Sequence, residues 1–218
     1  MNREFHPIDG DTWSRSPYFY YFTKMLPTGY SLTVEVDITN AYHMVKNAGK
    51  KFFPAYLYLA SRLIAQQQEF RVGERDGQLG YYEVLHPSYA CFHEDDKTMS
   101  SLWTEYVPDF WTFYESYAED QRRYAGNHGI VAKADLPDNN YMVGMLPWTQ
   151  FTSYAPVPYG NGKYYFPVLQ AGRFFNKDDR KMMPLSMTVH HAVADGYHVG
   201  LYLKRFQEGM FHPEVWIK

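Results

Sequence analysis

The chain has 218 residues, 45% of them hydrophobic and 19% aromatic, and a formal net charge of −3 at pH 7. This length suits one domain with a sizeable core, so we expect a single domain over residues 1–218. The weak net charge excludes the basic field that nucleic-acid binding requires. No apolar run approaches the roughly 18 residues of a membrane span, and Met1 to His6 lack a signal-peptide core. The lone Cys91 suits a reducing compartment, so we expect a cytoplasmic protein.

Hydrophobic periodicity and turn residues predict a mixture of strands and helices. In chain order the predicted elements are strand 31–36, helix 37–46, helix 54–68, hairpin turn 75–78, strands 81–84, 89–92 and 99–103, helix 109–124, loop 127–139, strands 141–145, 165–171 and 182–189, and helix 195–208. Asp37 opens the first helix, with Thr39 or Asn40 as rival caps, and Pro54 opens the second. Because strands and helices are interspersed without strict alternation, the pattern favours an α+β sandwich over a doubly wound fold.

The most informative segment runs from His190 to Gly196, with a second histidine at 191 and an aspartate at 195. An apolar strand leads into it and a helix follows, so an imidazole lies at a strand end just before a turn. Imidazole titrates near neutrality, which suits it to acid–base catalysis. Since side chains alternate in a strand, His190 points away from His191, and we interpret His190 as structural. Taken alone, the segment fits a core histidine followed by an Asp-Gly helix start equally well.

A metal site is a further interpretation of the same residues. His190, His191, Asp195 and His198 are all possible ligands. Adjacent histidines diverge in a strand, and no cysteine or HExxH pattern supports them. We therefore expect no metal here.

The whole sequence resembles the chloramphenicol acetyltransferase family, from about Trp13 to about Phe206. Besides the histidine segment, the matching stretches occur in the family's order and spacing at 31–33, 37–39, 92–94, 100–106, 146–148 and 183–185. The resemblance implies a two-layer α+β sandwich, a mixed β-sheet with packed helices. It also implies acetyl transfer from acetyl-CoA to a small hydroxyl-bearing acceptor, chloramphenicol or a related compound, with no tightly bound cofactor. Dihydrolipoamide acyltransferase cores are similar in fold but normally carry a lipoyl domain, and condensation domains are about twice as long.

The resemblance also assigns roles around the histidine pair. His191 matches the family's general base, which takes the acceptor's hydroxyl proton and returns it to the departing thiolate. Asp195 matches an aspartate that pairs with an arginine near the N-terminus, here Arg15. We expect this ion pair to be structural and to hold the loop that aims His191, since a buried carboxylate needs a partner.

The chain departs from the family pattern in the acceptor pocket. The family's serine, three residues before Pro-Trp, is Gly144, and the asparagine two residues earlier is Met142. A family threonine matches Gln170 and a pocket cysteine matches Thr28. A lost oxyanion donor typically costs about 2.7–4 kcal/mol of transition-state stabilisation. The resemblance is thus to a divergent member of the family.

Two interpretations follow from these departures. In one, the enzyme is active with a rearranged pocket, and Thr28, Gln170 or a water supplies the missing donor. In the other, the protein is a weakly active or inactive relative that binds a small molecule without acetylating chloramphenicol. The presence of His191, Asp195 and Arg15 favours the first.

The resemblance implies a donor site and an assembly as well. Lys51 and Arg173 match basic positions near the CoA phosphates, and Phe174 replaces a tyrosine near the nucleotide. Isolated basic residues are, however, usually solvated surface. The family forms homotrimers in which the base of one subunit faces the acceptor pocket of its neighbour. The corresponding pocket segment is 21–30, and its candidate lining residues are Phe22, Leu26, Thr28 and Tyr30.

Overall fold

The computed structural model of the chain describes residues 3–156 and 164–218. Its strands are β1 (Phe5–Pro7), β2 (Gly29–Asp37), β3 (Val72–Arg75), β4 (Gln78–Tyr82), β5 (His86–Phe92), β6 (Met99–Trp103), β7 (Asn140–Leu146), β8 (Val168–Gly172), β9 (Phe175–Lys177) and β10 (Arg180–His190). Its helices are α1 (Ser16–Tyr20), α2 (Thr39–Asn47), α3 (Phe52–Ile64), α4 (Phe110–Tyr124) and α5 (Gly196–Phe211). Single helical turns add a π turn at Tyr21–Met25 and 3-10 turns at Gln68–Arg71 and Pro213–Val215.

The larger sheet is mixed, in the order β2-β10-β8-β7-β5-β6, and β9 also pairs with β10. Its central pairs, β7 with β8 and β5 with β7, are parallel. The flanking pairs are antiparallel. A smaller sheet has the order β1-β4-β3. The predicted α+β fold with a mixed sheet is confirmed.

Helices α2, α3, α4 and α5 cover one face of the larger sheet, and α3 packs between α4 and α5. On β10 the side chains toward this helical layer, Met183, Leu185 and Met187, have no exposed surface. Because side chains alternate along a strand, Thr188 and His190 belong to the opposite face. This second face carries the polar positions of the candidate site. Over residues 3–156 and 164–218, none of the helices combines the length and the apolar character of a membrane span.

Helix starts differ slightly from the sequence prediction. α3 begins at Phe52, two residues before Pro54, because proline is tolerated in the first turn of a helix. α2 begins at Thr39, yet Asp37 still opens it. The Asp37 Oδ1 accepts bonds from the Thr39 N–H at 3.0 Å and from its hydroxyl at 2.6 Å.

Two predicted strands were misplaced. The strand predicted at 81–84 occupies Gln78–Tyr82, because it continues directly out of the Asp76-Gly77 turn, where both residues have positive φ. The strand predicted at 165–171 begins only at Val168. The apolar residues before it pack as buried rings outside the ladder, since an apolar run alone does not separate a strand from a buried connection.

Candidate active site

His191 directly follows β10, and its backbone is held on both sides. Its N–H donates to the Thr28 carbonyl at 2.9 Å, and its carbonyl accepts from Nη2 of Arg15 at 2.9 Å. The imidazole stacks on Phe22 with ring centroids 4.0 Å apart, and Tyr30 meets it edge-on at 5.2 Å. Both main chain and ring are therefore positioned before any ligand binds.

Two buried polar atoms beside this ring lack hydrogen-bond partners in the described chain, Nδ1 of His191 and the Tyr30 hydroxyl. Asp195 Oδ1 lies 3.2 Å from that Nδ1, but without the alignment of a hydrogen bond. Burial, aided by the charge of Asp195, raises the pKa of Tyr30 to about 12, so its hydroxyl keeps its proton at neutral pH. An unsatisfied buried polar group costs about 1–3 kcal/mol. Two unsatisfied polar groups at one ring indicate a binding position, where a further molecule would supply the missing hydrogen-bond partners.

The predicted ion pair between Arg15 and Asp195 is present. Nη1 and Nη2 of Arg15 each donate to one carboxylate oxygen at 2.7 Å, and Nε donates to the Ala192 carbonyl at 3.0 Å. These bonds hold the pKa of Asp195 below its usual range. The Arg15 side chain is 11% exposed, but that of Asp195 is 38% exposed, because it begins α5 at the surface. The pair is therefore only partly buried.

His190 diverges from His191, as strand alternation predicts. Its Nδ1 accepts from the Ala192 N–H at 3.1 Å, and its ring meets Tyr165 edge-on at 5.1 Å. Burial, reinforced by neighbouring His191, lowers the pKa of His190 and favours the neutral ring. These contacts fit a packing role.

Gly144 and Gln170 are paired in register on β7 and β8. A Cβ at position 144 would lie 2.8 Å from Oε1 and 3.3 Å from Nε2 of Gln170, so the carboxamide fills the space of the family's serine. Gln170 Nε2 donates one proton to the Ala171 carbonyl at 3.2 Å and retains a second. The Thr28 hydroxyl instead donates its single proton to the Leu26 carbonyl at 2.7 Å. Gln170 thus keeps one amide proton uncommitted, whereas the single hydroxyl proton of Thr28 is committed.

One chain does not bring all these positions together. Gln170 pairs with Ser186, four residues before His190 on β10. At about 3.3 Å per residue, this separation is about 13 Å along the strand. Gly144 lies one strand further away, in the direction from β10 to β7. Within one chain, Gly144 and Gln170 therefore lie well apart from the end of β10 that carries His191.

Phe22 and Tyr30, two of the residues suggested to line the acceptor pocket, pack on His191 of the same chain. Leu26 projects away, with 52% of its surface exposed. The Thr28 carbonyl accepts a hydrogen bond from the His191 N–H, and this bond holds the 21–30 segment against the end of β10.

The three residues suggested for coenzyme binding do meet at one corner. The Phe174 ring contacts Phe52 edge-on at 5.3 Å, and Lys51 immediately precedes Phe52. Arg173 immediately precedes Phe174, and both Lys51 and Arg173 are exposed. Two exposed cations thus directly precede, in sequence, two rings that contact each other, and guanidinium and ammonium groups suit phosphate binding.

Comparison with known proteins agrees with this architecture. The chloramphenicol acetyltransferase family model matches residues 2–207. A chloramphenicol acetyltransferase of Staphylococcus aureus is 38% identical over 214 residues, covering 98% of this chain and 99% of that protein. One of Clostridium butyricum is 34% identical over 215 residues, covering 98% of each.

A solved chloramphenicol acetyltransferase structure superposes with a TM-score of 0.86 at 25% identity, covering 95% of this chain and all of that one. The chain therefore belongs to the chloramphenicol acetyltransferase family, and it is an acyltransferase.

Proposed function

We propose that this protein is an acetyl-CoA-dependent O-acetyltransferase that acts on chloramphenicol or a related hydroxyl compound, with His191 as general base. The observation that carries the proposal is the imidazole of His191, clamped by Phe22 and Tyr30 beside unsatisfied buried polar atoms. His191 takes the proton of the acceptor hydroxyl as its oxygen attacks the thioester carbonyl. The carbon–sulfur bond then breaks, and the proton passes to the sulfur, giving an acetyl ester and free CoA.

Gln170 is the proposed oxyanion donor in place of the family's serine. Its amide retains one uncommitted N–H and lies over Gly144, where the serine side chain would be. A neutral amide can stabilise the tetrahedral oxyanion by hydrogen bonding. This substitution changes the position of the donor, so the preferred acceptor differs in shape from one that suits a serine.

The active unit in this proposal is a homotrimer of single-domain subunits, 1–218, with sites shared between neighbours. The separation of His191 from Gly144 and Gln170 within one chain supports this arrangement. So does an exposed apolar stretch in the N-terminal segment next to Phe22, since such patches mark interaction surfaces. Its members are Tyr18, Tyr20, Tyr21, Met25 and Leu26.

Acetyl-CoA enters as a co-substrate, and Lys51 and Arg173 provide cations for its phosphates beside the Phe174 ring. A cytoplasmic location fits both this donor and the unpaired thiol of Cys91, which is buried and receives a hydrogen bond from Gln121.

The direct test is thiol release from acetyl-CoA with a panel of hydroxyl and amine acceptors that includes chloramphenicol. We expect acceptor-dependent release of CoA, and the acetyl ester identified by mass spectrometry. Because Gly144 has no side-chain donor, we expect chloramphenicol to be acetylated more slowly than the best acceptor of the panel. Saturable chloramphenicol binding, with no CoA released from acetyl-CoA in the presence of any acceptor, would instead identify an inactive relative that only binds the compound.

A further inference from the structure

A second group of imidazole and carboxylate side chains lies at the turn between β5 and β6, among residues that the proposed reaction does not use. It consists of His93, Asp95 and His128, whose possible ligand atoms lie within 4.8 Å of one another. The rings of His93 and His128 stack with centroids 4.0 Å apart. No local sequence spacing reveals this group, because His128 is 35 residues from His93 and follows α4.

Hydrogen bonding defines which nitrogen of His93 has a lone pair available for a ligand. The Ser100 hydroxyl donates its proton to the Asn127 carbonyl at 3.0 Å. Ser100 Oγ must then accept from Nε2–H of His93, which lies 2.8 Å away. Nδ1 of His93 consequently carries a lone pair, which is available to a ligand. His93 is only 5% exposed, so this ring is already oriented and desolvated.

His128 is oriented by a carboxylate. Its Nδ1 lies 2.9 Å from Oδ2 of Asp96, and Asp96 is itself held by the N–H and hydroxyl of Thr98. A proton on Nδ1 leaves a lone pair on Nε2, which faces Oδ2 of Asp95 at 3.4 Å. In the neutral ring this lone pair and the carboxylate repel each other unless a cation lies between them; the alternative is a second ring proton, on Nε2. A carboxylate behind a histidine is also the usual outer partner of a metal ligand.

From this geometry we propose that His93 Nδ1, His128 Nε2 and the Asp95 carboxylate form a binding site for a divalent transition-metal ion, best matched by Zn²⁺. Two imidazoles and one carboxylate are a common zinc donor set, and water completes the tetrahedron. Bonds of about 2.0–2.1 Å put tetrahedral ligand atoms about 3.3 Å apart. Closing the group therefore requires the ligand atoms to approach one another by up to about 1.5 Å, and the two stacked rings to tilt so that their lone pairs converge.

The required movement falls on the exposed members of the group. The Asp95 and His128 side chains are 71% and 45% exposed, whereas His93 is buried. The backbone that carries His128 is anchored nearby. Ser101 on β6 donates to the Ile130 carbonyl and accepts from the Ala132 N–H, each at 2.8 Å. The ion would thus join the 127–132 segment to the β5–β6 turn and stabilise their contact.

The test is calorimetric titration of the whole chain with ZnSO₄, together with thermal unfolding. We expect one saturable Zn²⁺ site and a higher unfolding midpoint, with no comparable effect of Mg²⁺, which prefers oxygen ligands. His128→Ala and Asp95→Asn should each lose this site, and both substitutions are at the surface, so folding is retained. Asp96→Asn removes only the outer partner and should weaken binding about 10–100-fold.

His212→Ala is the matched control, because His212 is exposed and pairs with Glu214 outside this group. It should bind Zn²⁺ as the wild type does. Co²⁺ provides a second readout, since coordination by imidazole nitrogen gives visible absorption that His128→Ala should abolish. Absence of saturable Zn²⁺ binding, or unchanged affinity in His128→Ala, would overturn the proposal. It would leave His128 as a protonated bridge between Asp95 and Asp96. Neither result bears on the acetyltransferase proposal, which involves none of these residues.

Discussion

The proposed chemistry concentrates on His191, since its imidazole is the group placed to accept the acceptor's proton. His191→Ala removes that base while leaving the Arg15 and Thr28 backbone bonds available. A general base contributes about 10²–10⁴-fold to rate, so we expect kcat/KM to fall by about that factor. The measurement is CoA release, with circular dichroism to verify folding. His212→Ala serves as the control histidine substitution, and turnover of His191→Ala at the wild-type rate would refute the assignment.

The pairing of Gly144 with Gln170 makes a conditional prediction. Gly144→Ser alone introduces a Cβ 2.8 Å from the Gln170 amide oxygen, so the new side chain competes with Gln170 for space. We expect little gain in chloramphenicol turnover. Gly144→Ser combined with Gln170→Thr clears that space and should raise the rate by up to roughly a hundredfold.

The companion substitution Gln170→Met keeps the side-chain length and removes the amide. It should lower kcat for the best acceptor by about 10²–10³-fold if this amide supports the oxyanion. Steady-state kinetics of the three variants, with chloramphenicol and with the best panel acceptor, separate the effects. A large gain from Gly144→Ser alone would show that Gln170 neither blocks the site nor contributes to it.

At the level of elements, Arg15 joins the segment before α1 to the turn between β10 and α5. It bonds Asp195 with both terminal nitrogens and also binds the carbonyls of His191 and Ala192. Asp195→Asn removes the charge partner, and we expect a loss of about 1.5–3 kcal/mol in unfolding free energy. This is below the cost of a fully buried pair because Asp195 is partly exposed. Chemical denaturation measures this loss of unfolding free energy. The control is Glu119→Gln, which breaks an exposed pair with Arg122 and should cost less than about 1 kcal/mol.

The same pair has a defined pH dependence. Arg15 depresses the pKa of Asp195 in the folded state. The stabilisation is therefore fully present above the unfolded-state value of about 3.9 and is lost as pH falls through the folded-state value. The stability difference between wild type and Asp195→Asn should therefore shrink as pH falls below about 4. A difference that grows as pH falls below about 4 would contradict the ion pair.

Long periodic elements such as β10 and α5 were predicted from sequence to within a few residues, because one buried face imposes a clear pattern over many positions. The start of β8 was missed, since Tyr165 and Phe166 are buried without being in the ladder. The overlap of Gln170 with a side chain at position 144 could not be predicted from the sequence either. It depends on the parallel register of two strands whose paired residues are 26 positions apart, and single-sequence patterns carry no information on register.

At the scale of the whole molecule, the described chain supplies the parts of the proposed site but keeps them apart. His191 is at the end of β10, and Gly144 with Gln170 lies further along the sheet toward β7. Assembly into a ring of three subunits would bring the histidine of one chain to the pocket of the next. Light scattering should therefore report a trimer at micromolar concentration, and a monomer with full activity would contradict a shared site.

Mixing two inactive variants tests sharing directly. His191→Ala lacks the base but keeps its pocket, while Gly144→Phe keeps the base and blocks its own pocket with a ring that collides with Gln170. Each homotrimer should be inactive. If each site combines the base of one chain with the pocket of another, unfolding and refolding the two together at equal amounts should restore about a quarter of the wild-type sites. Mixing without subunit exchange is the control. A site confined to one chain gives no recovery, because every chain in the mixture is defective in one half.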